Sequence, residues 1–244
     1  TKMIKDRFEG KKIVVIGKNS YEWAISYMAS VIIGVVVPID KEASDENIKE
    51  FFNKAKVEAV FGDEKYLKRN KGFIRELDVE PKLISMNSKI IALIDKGKKL
   101  VDDGDKSFDN VKIDPDEMRI LLFTSGTTGN SKGVMLSHKN ICSNIISVAK
   151  TVKVDNTTAV LSILPLHHTY ECTLGYLLVI YGGGNIAYVE GLRYITKNIS
   201  EFSSFKIVFW VFNSSFISEK NLRTFLVWAL FKKGFSLHFS LMPL

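Results

Sequence analysis

Short runs rich in β-branched residues recur at residues 13–16, 35–37 and 57–61, and the stretches between them carry helical signals. Gly17 ends the first run and Pro38 follows the second. Between them, Asn19 or Ser20 can cap a helix that reaches about residue 33, where Gly34 stops it. Ser44 caps a second helix to about residue 55, with Ile48, Phe51, Phe52 and Ala55 at helical spacing. Strands without polar alternation are buried on both faces, which is characteristic of parallel sheets. Parallel neighbours need long crossovers rather than tight turns, and the intervening helices supply them. The fold class expected is therefore α/β, a mostly parallel sheet with crossover helices.

The same punctuation continues downstream. Residues 82–86 predict a strand and 89–99 a helix, while 102–116 is acidic and turn-like, a surface connection. A helix is predicted over 138–152, a strand over 158–164 ending at Pro165, and a helix over 170–181. The glycines at 182–184 make a turn before a strand at 185–189, and 193–202 predicts a last helix.

One loop interrupts this pattern with chemistry. Residues 123–137 read Phe-Thr-Ser-Gly-Thr-Thr-Gly-Asn-Ser-Lys-Gly-Val-Met-Leu-Ser, directly after the apolar residues 120–122. Glycines let the backbone approach a ligand closely. Clustered N–H groups and hydroxyls form a concavity for an anion, and lysine adds a compact positive charge. The candidate phosphate-binding residues are Thr124, Ser125, Gly126, Thr127, Thr128, Gly129 and Lys132. The common nucleotide loop needs glycine immediately before the lysine, and here Ser131 stands there. The dinucleotide fingerprint also fails, because no glycine lies two residues before Gly126. A Ser/Thr/Gly-rich hairpin turn is the competing interpretation, although a turn has no use for the lysine.

A second cluster, Leu-Pro-Leu-His-His-Thr-Tyr-Glu at residues 164–171, follows a predicted strand, where open α/β sheets gather ligand-binding groups. His167 and His168 can stack, hydrogen-bond or change charge near neutral pH. A lone histidine is more often a structural group. Glu171 is either a polar contact or a helix N-terminal charge.

These two clusters together resemble the signatures of the adenylate-forming (AMP-binding) enzymes. The loop matches Thr-Ser-Gly-Thr-Thr-Gly-x-x-Lys-Gly, with Ser131 where that family usually has proline. The segments at 10–23 and 34–40 are similar to the first strand–helix–strand unit of bacterial long-chain fatty acid–CoA ligases. The resemblance runs from about residue 7 to 202. It implies ATP, Mg2+ and coenzyme A as cofactors and a fatty acid as substrate. The carboxylate attacks the α-phosphate to give an acyl-adenylate and pyrophosphate, and coenzyme A then displaces AMP. Lys132 would screen the β/γ-phosphate charge and His168 would shape the junction of acyl group and nucleotide, so both are carried as catalytic candidates. No metal ligand is assigned.

The resemblance also stops short. No Tyr-Gly-x-Thr-Glu or Tyr-x-Thr-Gly-Asp segment follows. Residues 1–202 are therefore expected to form part of a large AMP-binding domain, and 203–244 a divergent apolar and basic tail. We expect this tail to arise from a reading-frame change or a truncation near Phe202, with a membrane-surface or partner-binding segment as the alternative. Since the chain starts at threonine, we expect a partial or trimmed acyl-CoA synthetase, inactive by itself. The competing function is a non-catalytic ATP- or acyl-binding module that needs a partner.

Charge excludes one class of partner. The net charge of +7 is uneven: residues 1–202 hold 29 Lys and Arg against 26 Asp and Glu, so the excess sits mainly in the tail. With no basic stripe interleaved with aromatics, no nucleic-acid partner is expected. Cys142 and Cys172 lie in apolar contexts and are expected to be buried, reduced thiols, consistent with a cytoplasmic protein, with peripheral membrane contact as an option. Oligomeric state is not legible.

Overall fold

The computed structural model describes residues 9–70, 72, 74, 76–78, 80–124, 131–195, 197–198 and 206–207. Nearly all of the predicted tail lies outside these residues, as does half of the helix expected at 193–202. That segment opens, in the part described, with a 3-10 turn, Leu192–Tyr194.

Six strands make the first sheet: β1 (Lys12–Ile16), β2 (Val35–Ile39), β3 (Ala59–Gly62), β4 (Lys82–Ser85), β5 (Met118–Thr124) and β6 (Lys132–Ser137), in the order β4-β3-β1-β2-β5-β6. Every pair is parallel except β5 and β6, which are antiparallel. Period-two alternation sorts the strand residues onto two faces. Ile13, Val15, Val36, Phe61 and Ile120 enter one core, and Val14, Ile16, Val37, Val60 and Leu121 the other. The apolar runs are continuous because both faces are covered.

Helices α1 (Tyr21–Ile33) and α4 (Lys89–Asp102) pack into the first core through Trp23, Tyr27, Val31 and Ile90. Helices α2 (Asp45–Ala55) and α3 (Glu64–Arg69) fill the second through Ile48, Phe52, Tyr66 and Leu67. Ser20 caps α1, its hydroxyl accepting from Trp23 N at 3.2 Å, and Ser44 caps α2. The choice between Asn19 and Ser20 is settled for Ser20, which frees Asn19 for another task. The polar stretch around α3 had no strong sequence signal, and tertiary burial of Tyr66 and Leu67 supplies what periodicity could not.

Helix α5 (His138–Ala149) begins with a reciprocal capping box between Ser137 and Asn140. A second, three-stranded parallel sheet follows, ordered β8-β7-β9, from β7 (Thr158–Ser162), β8 (Asn185–Tyr188) and β9 (Lys206–Ile207). The helix expected at 170–181 is a π-helical stretch, Glu171–Leu177, running into α6 (Leu178–Tyr181). It docks on α1, where Tyr176 Oη donates to the Ala24 carbonyl at 2.8 Å, and Tyr27 meets Tyr176 edge-on.

The cysteines correct one expectation. Cys172 is buried, but Cys142 is exposed. On α5 Ile145 is buried and Ile141 packs against the core, while its sequence neighbour Cys142 stays in solvent. Burial pushes the Cys172 thiol up to about 12. Iodoacetamide at neutral pH should therefore label Cys142 and spare Cys172 in the folded protein, as read by peptide mass spectrometry. Equal labelling of both would contradict this packing.

Candidate functional site

Parallel strands bring their C-terminal ends to one edge of the sheet, where loops from distant parts of the sequence meet. The segment after β1 contributes Lys18 and Asn19, the end of β2 leads into Asp40, and β5 ends at Thr124. The β5–β6 hairpin carries the loop. Thr124 and Lys132 are register partners at its loop end, and Thr124 Oγ1 donates to the Lys132 carbonyl at 3.5 Å, a long contact. The candidates Ser125, Gly126, Thr127, Thr128 and Gly129 lie outside the described residues. A hairpin and a phosphate loop, posed as rivals by the sequence, are compatible here: the stem is an antiparallel pair and the hydroxyl-rich segment joins its ends.

Lys132 is exposed, and its ammonium makes no hydrogen bond or ion pair among the described residues. Gly133 next to it fits tightly, because a Cβ there would sit 3.1 Å from Leu121 Cδ1. Helix α2 braces the stem: the Phe51 and Phe123 rings stack with centroids 4.6 Å apart and planes 9° from parallel. Phe51 was legible as part of an apolar helix face, but its partner was not.

The second cluster sits where the two sheets meet. His167 is half-buried and its Nε2 lies 3.5 Å from Asp40 Oδ2, an ion-pair distance without a hydrogen bond. His168, adjacent and exposed, has its ring centroid 4.2 Å from that of His167. His167 also faces Leu122 of β5 and Leu136 of β6 across a crevice whose free volume is about 10 Å³, room for no more than a water molecule. His167 thus packs against the same hairpin that carries Lys132.

Beneath the histidines runs a buried polar chain. Asn19 Nδ2 donates to the Leu164 carbonyl at 2.7 Å and to Ser162 Oγ at 3.2 Å, and Asn19 Oδ1 accepts from Leu166 N at 2.9 Å. Ser162 Oγ in turn donates to Glu171 Oε1 at 2.6 Å. Of the two sequence alternatives, Glu171 is a polar contact, held by Ser162 in the first turn of the π-helical stretch. Only 7% of it is exposed, and burial raises its carboxyl to about 7, outweighing the hydrogen bonds from Ser162 and the Ile163 backbone. A Cβ on Gly175 would lie 2.5 Å from Glu171 Oε1, so only glycine leaves room for this carboxyl group. Asn19, Ser162 and Asp40 carry no local signal of these roles, because each acts across a sequence distance that only the fold closes.

Among the described residues, fit to a nucleotide rests on the exposed Lys132 cation and the Thr124 hydroxyl at the mouth of the hairpin. Among the described residues no group of three or more His, Cys, Asp or Glu side chains could hold a metal ion.

The family model for the AMP-binding enzyme matches residues 7–212. The chain belongs to the AMP-binding enzyme family. It is 31% identical over 210 residues to long-chain-fatty-acid–CoA ligase 1 of Cavia porcellus, which takes in 76% of this chain and 29% of that protein. Long-chain-fatty-acid–CoA ligase 1 of Homo sapiens is 29% identical over 214 residues, with 78% and 29% covered. This AMP-binding chain therefore spans under a third of the length of these relatives. Its fold matches a long-chain-fatty-acid–CoA ligase of Archaeoglobus fulgidus at a TM-score of 0.65, with 21% identity over 80% of this chain and 39% of that one. ATP-bound MatB of Rhodopseudomonas palustris gives a TM-score of 0.66 at 18% identity, over 83% and 39%. These likenesses support the expected α/β fold, an N-terminal portion of an adenylate-forming enzyme.

Proposed function

We propose that this chain is the phosphate-binding portion of a fatty acid–CoA ligase. In the whole protein, a fatty acid carboxylate oxygen attacks the α-phosphorus of ATP and pyrophosphate leaves with the bonding electrons. The thiol of coenzyme A then attacks the acyl carbon and AMP departs. The observation that carries this reading is the exposed Lys132 at the mouth of the hydroxyl-rich hairpin, whose ammonium has no partner among the described residues. There its charge can neutralise phosphate. Mg2+ would accompany the nucleotide and screen the same charge. His168, whose ring lies tilted against that of His167, would contact a ligand from the solvent side, while His167 would brace it from the crevice. A cytoplasmic location with peripheral membrane contact belongs to the same proposal.

As an isolated piece the chain should bind ATP weakly, with Kd about 1 mM, and should not turn it over. Calorimetry should show Lys132→Ala weakening that binding at least about tenfold, the loss of one charge-assisted contact. Silence at ATP far above that concentration would remove the phosphate role from this chain. Robust fatty-acid-dependent ATP–pyrophosphate exchange would instead show that the chain is complete enough to catalyse. Binding without exchange that is insensitive to Lys132 favours a non-catalytic module with its site elsewhere.

A further inference from the structure

Both ends of the described hairpin stem rest on one helix. Glu50 and Lys54 are four residues apart on α2 and so share a face. Lys54 Nζ donates to Glu50 Oε1 at 2.5 Å, to the Ser131 carbonyl at 3.0 Å and to Ser131 Oγ at 3.2 Å. Ser131 Oγ donates to the same Glu50 oxygen at 2.7 Å, closing a three-membered ring of charge-assisted bonds. One residue beyond Phe51 on the helix, Phe52 is buried in the core, and Ile48 and Ala55 anchor the same flank. The Phe51–Phe123 stack holds the strand leading to Thr124, and the Glu50–Lys54–Ser131 ring holds the residue leading to Lys132.

We propose that Glu50, Lys54 and Ser131 form a positioning clip that sets the placement of Lys132 at the mouth of the loop. The Ser131 carbonyl belongs to the peptide unit whose nitrogen is that of Lys132. Holding that carbonyl on Lys54 therefore fixes the peptide plane from which the Lys132 side chain departs. Serine occupies the position where the resembling signature carries proline, whose ring locks φ covalently. Here a restraint on the next peptide plane comes from tertiary hydrogen bonds instead. Lys54 and Ser131 hold the Glu50 carboxyl below its usual range, in keeping with a carboxylate that stays charged in the ring. Exposed ion pairs do little for global stability, so the clip acts on placement rather than on folding.

The inference rests on the phosphate role proposed for Lys132, and its test separates the two. Amide hydrogen exchange by NMR on the full chain reads the clip without ATP. Glu50→Ala and Ser131→Ala should speed exchange at Lys132 and Gly133 by about tenfold, leaving β1 and β2 unchanged, whereas Glu50→Gln, which keeps an acceptor, should restore most protection. An ATP titration followed at the Gly133 amide should show Glu50→Ala weakening affinity about threefold to tenfold. That loss should vanish in a Lys132→Ala background, because the clip acts through Lys132. Unchanged exchange overturns the clip, and so does an affinity loss that persists without Lys132. A wild-type chain that ignores ATP overturns the phosphate reading alone, and the exchange data then decide the clip.

Discussion

Raising the pH from about 5 to about 8 should lower the stability of this protein by about 2.5 kcal/mol through Glu171 alone. Its carboxyl is raised from 4.5 to about 7 by burial, so the folded state holds a proton that the unfolded chain releases. Stability from this group is complete below about 4.5 and is lost as the pH climbs through about 7. Glu171→Gln keeps an oxygen to accept from Ser162 but cannot ionise. In urea unfolding the variant should match the wild type near pH 5 and exceed it near pH 8. His138 works in the opposite direction, since burial lowers its imidazole below the usual value and its contribution fades as the pH falls. The difference between wild type and Glu171→Gln therefore isolates the carboxyl group better than either curve alone. Parallel curves across the range would show that Glu171 does not titrate in this window.

Trp23→Ala should cost about 3–5 kcal/mol, a large share of the stability of a domain of this size. Its side chain is 1% exposed, stacks on Tyr27 at 5.4 Å and fills the core between β1, β2 and the π-helical segment. Removing the indole leaves a cavity that the flanking strands, packed on their other face by α2, cannot close. Tyr27 touches Tyr176, so the loss should loosen the segment carrying Glu171 as well as the global fold. Guanidinium unfolding measures the global term, and hydrogen exchange across residues 171–178 measures the local one. A loss below about 1 kcal/mol would mean that the core repacks around the gap.

Much of the architecture was written locally. The β-branched runs of β1, β2 and β3, the Ser44 cap and the stop at Gly34 each depend on backbone sterics or short-range hydrogen bonds, and each appears where expected. Strand β6 was obscured because its residues read as loop. It becomes a strand by pairing with β5, and most of it is exposed, so no burial pattern announces it. Cys142 went wrong for a related reason. Apolar neighbours in sequence say little about which side of a helix meets the core when that helix buries so few residues.

The sequence alone determined the chemical character of this protein: a hydroxyl-rich, lysine-bearing loop between apolar segments, a histidine pair after a later strand, and an α/β alternation. Those properties live in residue types and in spacings of a few positions. Tertiary structure decided which groups act together. Asn19 and Ser162 stand 143 positions apart, and Lys54 and Ser131 stand 77 apart. No local propensity encodes such contacts, because they arise only when parallel strands bring their C-terminal ends to one edge. The same packing excludes water from Glu171 and so sets a carboxyl group near neutrality, a property of its surroundings rather than of its sequence neighbours.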